Sequence, residues 1–148
     1  MLALALVGYG QLAALTTSGL ADRLRAAGAN VVIGGEVQQP FFSPTGRFLN
    51  VNGDDVQVFE YALTPLAGYE ASKVAPDGMA VGKAIHIAWL APPHFYAAGR
   101  IIVIYLGVDR AMMHLLGSVL GPPFAGTDCT GTWSSIGGCQ TLSGQLNG

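Results

Sequence analysis

"IHIAWLAPPHFYAAGRIIVIYLG", residues 85–107, decides how the sheet is built. Its second half, Ile101 to Leu106, is apolar at every position, the pattern of a strand covered on both faces. Its first half alternates: Ile85, Ile87 and Trp89 share one face, and His86 lies opposite between Ala84 and Ala88. Reading both as strands leaves Ala91 to Gly99 as the connection, longer than the usual hairpin link of about 2 to 5 residues. Pro92 and Pro93 stiffen it, and His94, Phe95, Tyr96 and Arg100 supply an imidazole, two large aromatic faces and a guanidinium. The segment is then either an exposed contact patch, binding through aromatic faces and a few polar groups, or a plain loop whose Phe95 or Tyr96 folds back over Trp89 or a helix. A catalytic His94 would need an orienting carboxylate, and none lies near it in the sequence.

Working outward, "DRAMMHLLGSVLGPP" predicts a helix capped by Asp109, with Met112, Leu115, Leu116, Val119 and Leu120 as its apolar stripe and Gly121 as its stop. "SGLADRLRAAG" predicts another, with Ser18 as cap and Gly28 just past the end. "TPLAGYEASKVAPDG" predicts a third, with Thr64 as cap, Pro65 at the first helical position and Pro76-Asp77-Gly78 as the closing turn. "NVVIGGEV" reads as a short strand, and "GRFLNVNGDDVQVFEYA" as a hairpin about Asn52-Gly53. Apolar matching favours a four-residue loop, Asn52 to Asp55, which pairs Val51 with Val56, Leu49 with Val58 and Phe48 with Phe59; a tight turn would pair Val51 with Asp54. The order is helix, strand, hairpin, helix, hairpin, helix. It predicts an α+β fold: a mostly antiparallel sheet of about five strands with helices packed on one face. Hairpin-plus-helix occurs twice, which suggests two halves.

Composition narrows the function classes. Hydrophobic residues make up 51% of the chain and charged residues 11%, against roughly 25% in ordinary soluble domains. A surface this poor in charge is suited to cover by a partner protein, another copy of the chain, or a membrane. Seven Lys+Arg against nine Asp+Glu give a net charge of −2 without a basic run, which argues against nucleic acid. Met1 to Ala21 carry no charged side chain. The apolar segment 1–18 is either an export-signal remnant, with membrane association through it, or a buried N-terminal helix. Residues 19–126 form a single α+β domain, and 127–148 a Gly/Ser/Thr-rich tail holding Cys129 and Cys139. These cysteines read first as a disulfide closing a small loop around Trp133, with two inert thiols as the alternative.

With "QPFFSPTGRFLNVNGDDVQVFEY", "APDG", "WLAPPHFYAAGRIIVIYLG" and "LGPPFAG" in view, the chain from Gly19 to Gly126 resembles a group of uncharacterised small bacterial proteins of exported, lipoprotein-like type. The resemblance implies an extracytoplasmic or cell-envelope address and carries no reaction with it. One departure is plain: lipid attachment needs a cysteine near the N-terminus, and the first here is Cys129.

Chemistry-bearing motifs are sparse. His86, His94 and His114 are scattered, and Asp54-Asp55 at the hairpin tip lack the spaced ligands of a calcium loop, so no metal and no cofactor are expected. Phe41 and Phe42 after Pro40 read as a strand start packing into the core, with a second exposed aromatic patch as the alternative. The expectation is a non-enzymatic binding module that contacts a protein or itself. The alternative is a small-ligand protein or minor enzyme, with His94, Tyr96 and Arg100 meeting Asp54, Asp55 or Glu60 around a cavity.

Overall fold

The computed structural model describes residues 15–140, so most of the apolar segment 1–18, and the membrane association read from it, fall outside the described residues, as do 141–148. The chain runs α1 (Thr17–Ala26), β1 (Val31–Val37), β2 (Gly46–Val51), β3 (Asp54–Glu60), α2 (Thr64–Ala71), β4 (Pro93–Ala98), β5 (Ile101–Leu106), α3 (Arg110–Leu120), β6 (Ala125–Gly126), β7 (Thr132–Ser134) and β8 (Gly138–Gln140). The first six strands form one sheet in the order β1-β2-β3-β5-β4-β6, every neighbouring pair antiparallel, and β7 pairs with β8 alone. The protein is α+β with a mostly antiparallel sheet, and the order of elements agrees with the sequence pattern.

The second hairpin sits further along the chain than expected. β4 is "PHFYAA", joined to β5 by Gly99 and Arg100 alone, with Ala98 opposite Ile101 and His94 opposite Tyr105. The stretch read as a loop is therefore a strand. Pro93 occupies its first position, where a missing N–H breaks no ladder, and its carbonyl still accepts from Thr127 N–H. The stretch read as a strand, 84–90, is irregular: His86 has a φ of 53°, Ile87 N–H donates to Met79 O, and Trp89 is anchored through its indole N–H to Gly78 O at 2.8 Å. Its alternation reflects one buried anchor, Trp89, beside an exposed Ile85.

The first hairpin also differs in register. Val51 faces Asp54, Leu49 faces Val56 and Phe48 faces Gln57, the tight turn in place of the four-residue loop. Asn52 and Gly53 both hold positive φ, 53° and 96°, as a two-residue turn of primed type requires. The two registers differ by two residues, which keeps every side chain on its own face.

Both faces of the sheet are covered. On one, Leu49, Val51, Val56, Val58, Tyr96, Val103 and Tyr105 pack against Leu20 and Leu24 of α1 and Met112, Leu116 and Leu120 of α3. On the other, Phe59, Phe95, Ile102 and Ile104 pack beneath Phe42, Ala67 of α2, Val81, Trp89 and Ala125. So α1 and α3 share one face, while α2 and the segment after it cover the second. The halves meet in the sheet, where the second strands of the two hairpins, β3 and β5, form the central pair, but their helices lie on opposite sides. Burying both faces of β5 removes Ile101 to Tyr105 from water, each large side chain worth about 1.5 to 3 kcal/mol as an upper figure.

Caps follow the chemistry with two shifts. Asp109 accepts from Ala111 N–H at 2.9 Å and starts α3 as expected. α1 begins at Thr16, whose Oγ1 accepts from Gly19 N–H, in place of Ser18. α2 has Leu63 at its cap with no side-chain bond, and it ends at Ala71, before the proline turn. One edge of the sheet is β1, interrupted by a register shift between Ile33 and Glu36. Arg25 Nη2 donates to Val31 O at 3.0 Å and Arg47 Nε to Gly34 O at 3.2 Å along this strand.

Candidate functional site

β4 places His94 and Tyr96 on the α1/α3 face and Phe95 on the other. All three are buried, His94 at 3% exposure and both aromatics at 0%, so they do not form an exposed contact patch. Arg100 is apart from them, in the β4–β5 turn, with Nη1 donating to Ala62 O at 3.3 Å. The strand pairing explains the burial: His94 lies between Tyr105 of β5 and Gly126 of β6, and its ring stacks on Tyr105 with centroids 6.0 Å apart. A Cβ on Gly126 would sit 2.6 Å from Pro93 O, so only glycine lets β6 approach this closely.

His94 does have a carboxylate partner, one distant in sequence. Nε2 is 3.1 Å from Asp128 Oδ1, whose side chain is 87% exposed. Such a pair fixes a ring orientation. Yet among the described residues His94 Nδ1 and Tyr96 Oη are buried without a hydrogen-bond partner, and the imidazole's one side-chain hydrogen bond goes to Asp128, with none to a hydroxyl or thiol that could serve as a nucleophile. The expected convergence with acidic groups is also absent: Asp54 and Asp55 are at the β2–β3 turn, where Asp55 accepts from Asn50 Nδ2, and Glu60 accepts from Thr17 N–H at 2.7 Å. A surface depression of about 280 Å³ lies between α1, the β2–β3 turn and the start of α3, lined by Asn52, Asp54 and Asp109, and His94, Tyr96 and Arg100 do not line it. Among the described residues, no three His, Cys, Asp or Glu side chains gather as a metal ion would require, and no helix is long and apolar enough to cross a membrane.

A second polar cluster escaped the sequence reading. Ser43 N–H and Oγ both donate to Glu70 Oε1, tying the aromatic 38–45 segment to α2. Burial pushes Glu70 up, but these bonds and Lys73 outweigh it and hold the carboxyl below its ordinary range. Tyr61 Oη lies beside Glu70 without completing a hydrogen bond, and burial with that negative neighbour raises it strongly.

The tyrosines give a pH prediction. Burial, reinforced by Tyr105 and Asp128, pushes Tyr96 up to about 12, and burial raises Tyr105 too. A phenol that holds its proton more tightly in the folded chain stabilises it fully below the unfolded value of about 10. That stability is lost as pH climbs through the folded value. Thermal melts are expected to fall between about pH 10 and pH 12, less steeply in Tyr96→Phe. Near pH 7 the same substitution removes a buried hydroxyl with no partner, so stability should hold or rise by up to about 1 kcal/mol in urea titration. A loss of 2 kcal/mol or more would contradict the unpaired hydroxyl.

The exposed counterpart lies over the Phe95 face. Leu63 at the cap and Leu66 and Tyr69 within α2 stand three apart and are exposed, and Lys73 Nζ sits 4.4 Å over the Tyr69 ring. Leu90 is 84% exposed beside the Trp89 anchor, and Ile136 is 97% exposed at the turn of the β7–β8 hairpin. Phe41 and Phe42 pack inward under this layer, with ring centroids 5.9 Å from Trp89 and 5.1 Å from Phe59 respectively. Cys129 and Cys139 are joined by a disulfide, with Cα atoms 5.5 Å apart, and Trp133 within that ring donates its indole N–H to Trp89 O at 2.9 Å. No family model matches the chain, and neither the curated proteins nor the solved structures contain a match.

Proposed function

We propose that this protein is a non-enzymatic interaction module of the cell exterior or envelope, and that its contact surface is the layer over the Phe95 face, with a second copy of the chain as its first partner. The observation that carries the reading is the apolar set Leu63, Leu66 and Tyr69 with Leu90 and Ile136, all exposed on elements that cover the same side of the sheet. Uncovered large apolar side chains favour association. The low charge supports a self-contact, since 11% charged residues and a net charge of −2 leave little repulsion between copies. The partly exposed cystine supports an oxidising compartment.

Sedimentation velocity tests it. At micromolar concentration the protein should sediment as a dimer or larger, and Leu66→Asp/Leu90→Asp should sediment as a monomer with unchanged circular dichroism, because both side chains are already in water. A stable dimer buries about 800 Å² per partner, an area that two introduced carboxylates would disrupt. A wild-type monomer at high concentration would remove the self-association.

A further inference from the structure

We propose that the Cys129–Cys139 cystine is a redox-operated lock on the C-terminal strap: oxidised, it holds Trp133 docked on Trp89; reduced, it releases the β7–β8 hairpin while the sheet stays folded. The strap is attached in two unequal parts. Its first part is tied to the body by Gly126 N–H to Pro76 O at 2.9 Å, Thr127 N–H to Pro93 O at 3.0 Å, Thr127 Oγ1–H to Asp77 O at 2.6 Å, and the His94–Asp128 contact. Beyond Asp128, among the described residues, one hydrogen bond joins the hairpin to the body, from the Trp133 indole to Trp89 O. The hairpin itself is three residue pairs long, Thr132 with Gln140, Trp133 with Cys139 and Ser134 with Gly138. Two strands that short do not hold together in water unaided.

The cystine therefore supplies what the hairpin lacks. It spans a sequence separation of 10 and ends directly opposite Trp133, so the residue whose indole reaches Trp89 is part of the closed ring. Opening that ring restores loop entropy and raises the hairpin's opening equilibrium on the order of 100-fold. Both cysteines are partly exposed, so a dithiol can reach them. Its thiolate attacks one sulfur and breaks the S–S bond, and its second thiol resolves the mixed disulfide. Cys129 and Cys139 end as two thiols, having gained two electrons and two protons, and the dithiol ends as a disulfide.

Release would carry the exposed Ile136 away from the Phe95-face layer, so reduction should also weaken association; that consequence, unlike the lock, rests on the self-contact proposed above.

The test follows the two indole N–H groups by hydrogen exchange in NMR, with Trp133→Phe to assign them. Reduction with a phosphine is checked by a gain of about 2 Da in intact mass, two hydrogens added per cystine reduced. The Trp133 indole should then exchange on the order of 100-fold faster, whereas the Trp89 indole, bonded to Gly78 O, and the β3–β5 amides stay protected. Cys129→Ser/Cys139→Ser should behave like the reduced protein without reductant. Trp133 exchange unchanged within twofold would overturn the lock, and so would loss of protection throughout the sheet. Sedimentation of both redox states is read separately: a monomer in each removes the self-contact and leaves the lock standing on its exchange result.

Discussion

Phe95→Ala is expected to lower the stability of the folded chain by about 3 to 5 kcal/mol, a large part of the roughly 5 to 15 kcal/mol that holds a domain together. Phe95 is fully buried on β4, opposite Ile104 and Ala125, with the rings of Trp89 and Phe124 at 6.0 Å and Phe42 at 6.4 Å. Truncation removes the transfer energy together with two edge contacts and one tilted aromatic contact, and the cavity cannot collapse because β4 is fixed between two neighbours. In urea, with a slope of about 1 to 3 kcal/mol/M, the midpoint should fall by more than about 1 M. Leu90→Ala, at an exposed site four residues before the strand's His94, should stay within about 0.5 kcal/mol of wild type. A small effect for Phe95 would return the segment to the loop first read from its prolines.

Gly46→Ala carries the second large effect. A Cβ at this position would lie 2.7 Å from Phe59 Cε1 and 2.9 Å from Val58 O. The carbonyl belongs to the central sheet and the ring is fully buried, so neither can retreat without moving β3. The expected loss is about 1 to 3 kcal/mol by overpacking, seen as a lower urea midpoint with unchanged slope. Gly35→Ala is the matched control: a Cβ there meets nothing within 4 Å, and the substitution should be close to neutral. Equal effects at the two positions would mean that Phe59 does not back onto the start of β2.

Different elements were legible to different degrees, for physical reasons. β5 could be read because a strand covered on both faces has no polar position to obscure it, and α3 because Asp109 and the Met112 to Leu120 stripe agree. The first hairpin was recognised but misregistered. Apolar matching favours the longer loop because it sets Val51 against Val56, but a slip of two residues leaves each face unchanged, so burial is the same in either register and the left-handed backbone of Asn52 and Gly53 decides for the tight turn. β4 was missed because two prolines look like punctuation unless the second begins a strand. Burial of His94 and Tyr96 followed from that one displacement. Asp128 had no local signal: it is 34 residues from His94 and lies in a stretch whose composition resembles a linker.

The sealing of β1 bears on whether copies of the chain can add edge to edge. An outermost strand invites another chain to add itself, copy after copy, through its row of unused carbonyls. Here two of the seven Lys+Arg residues are turned onto Val31 O and Gly34 O, and the irregularity between Ile33 and Glu36 puts the strand's two ends out of step. Fibre growth needs an unbroken, in-phase template. Broken in phase and with two of its carbonyls already bonded, β1 is a poor template for a strand added from another copy.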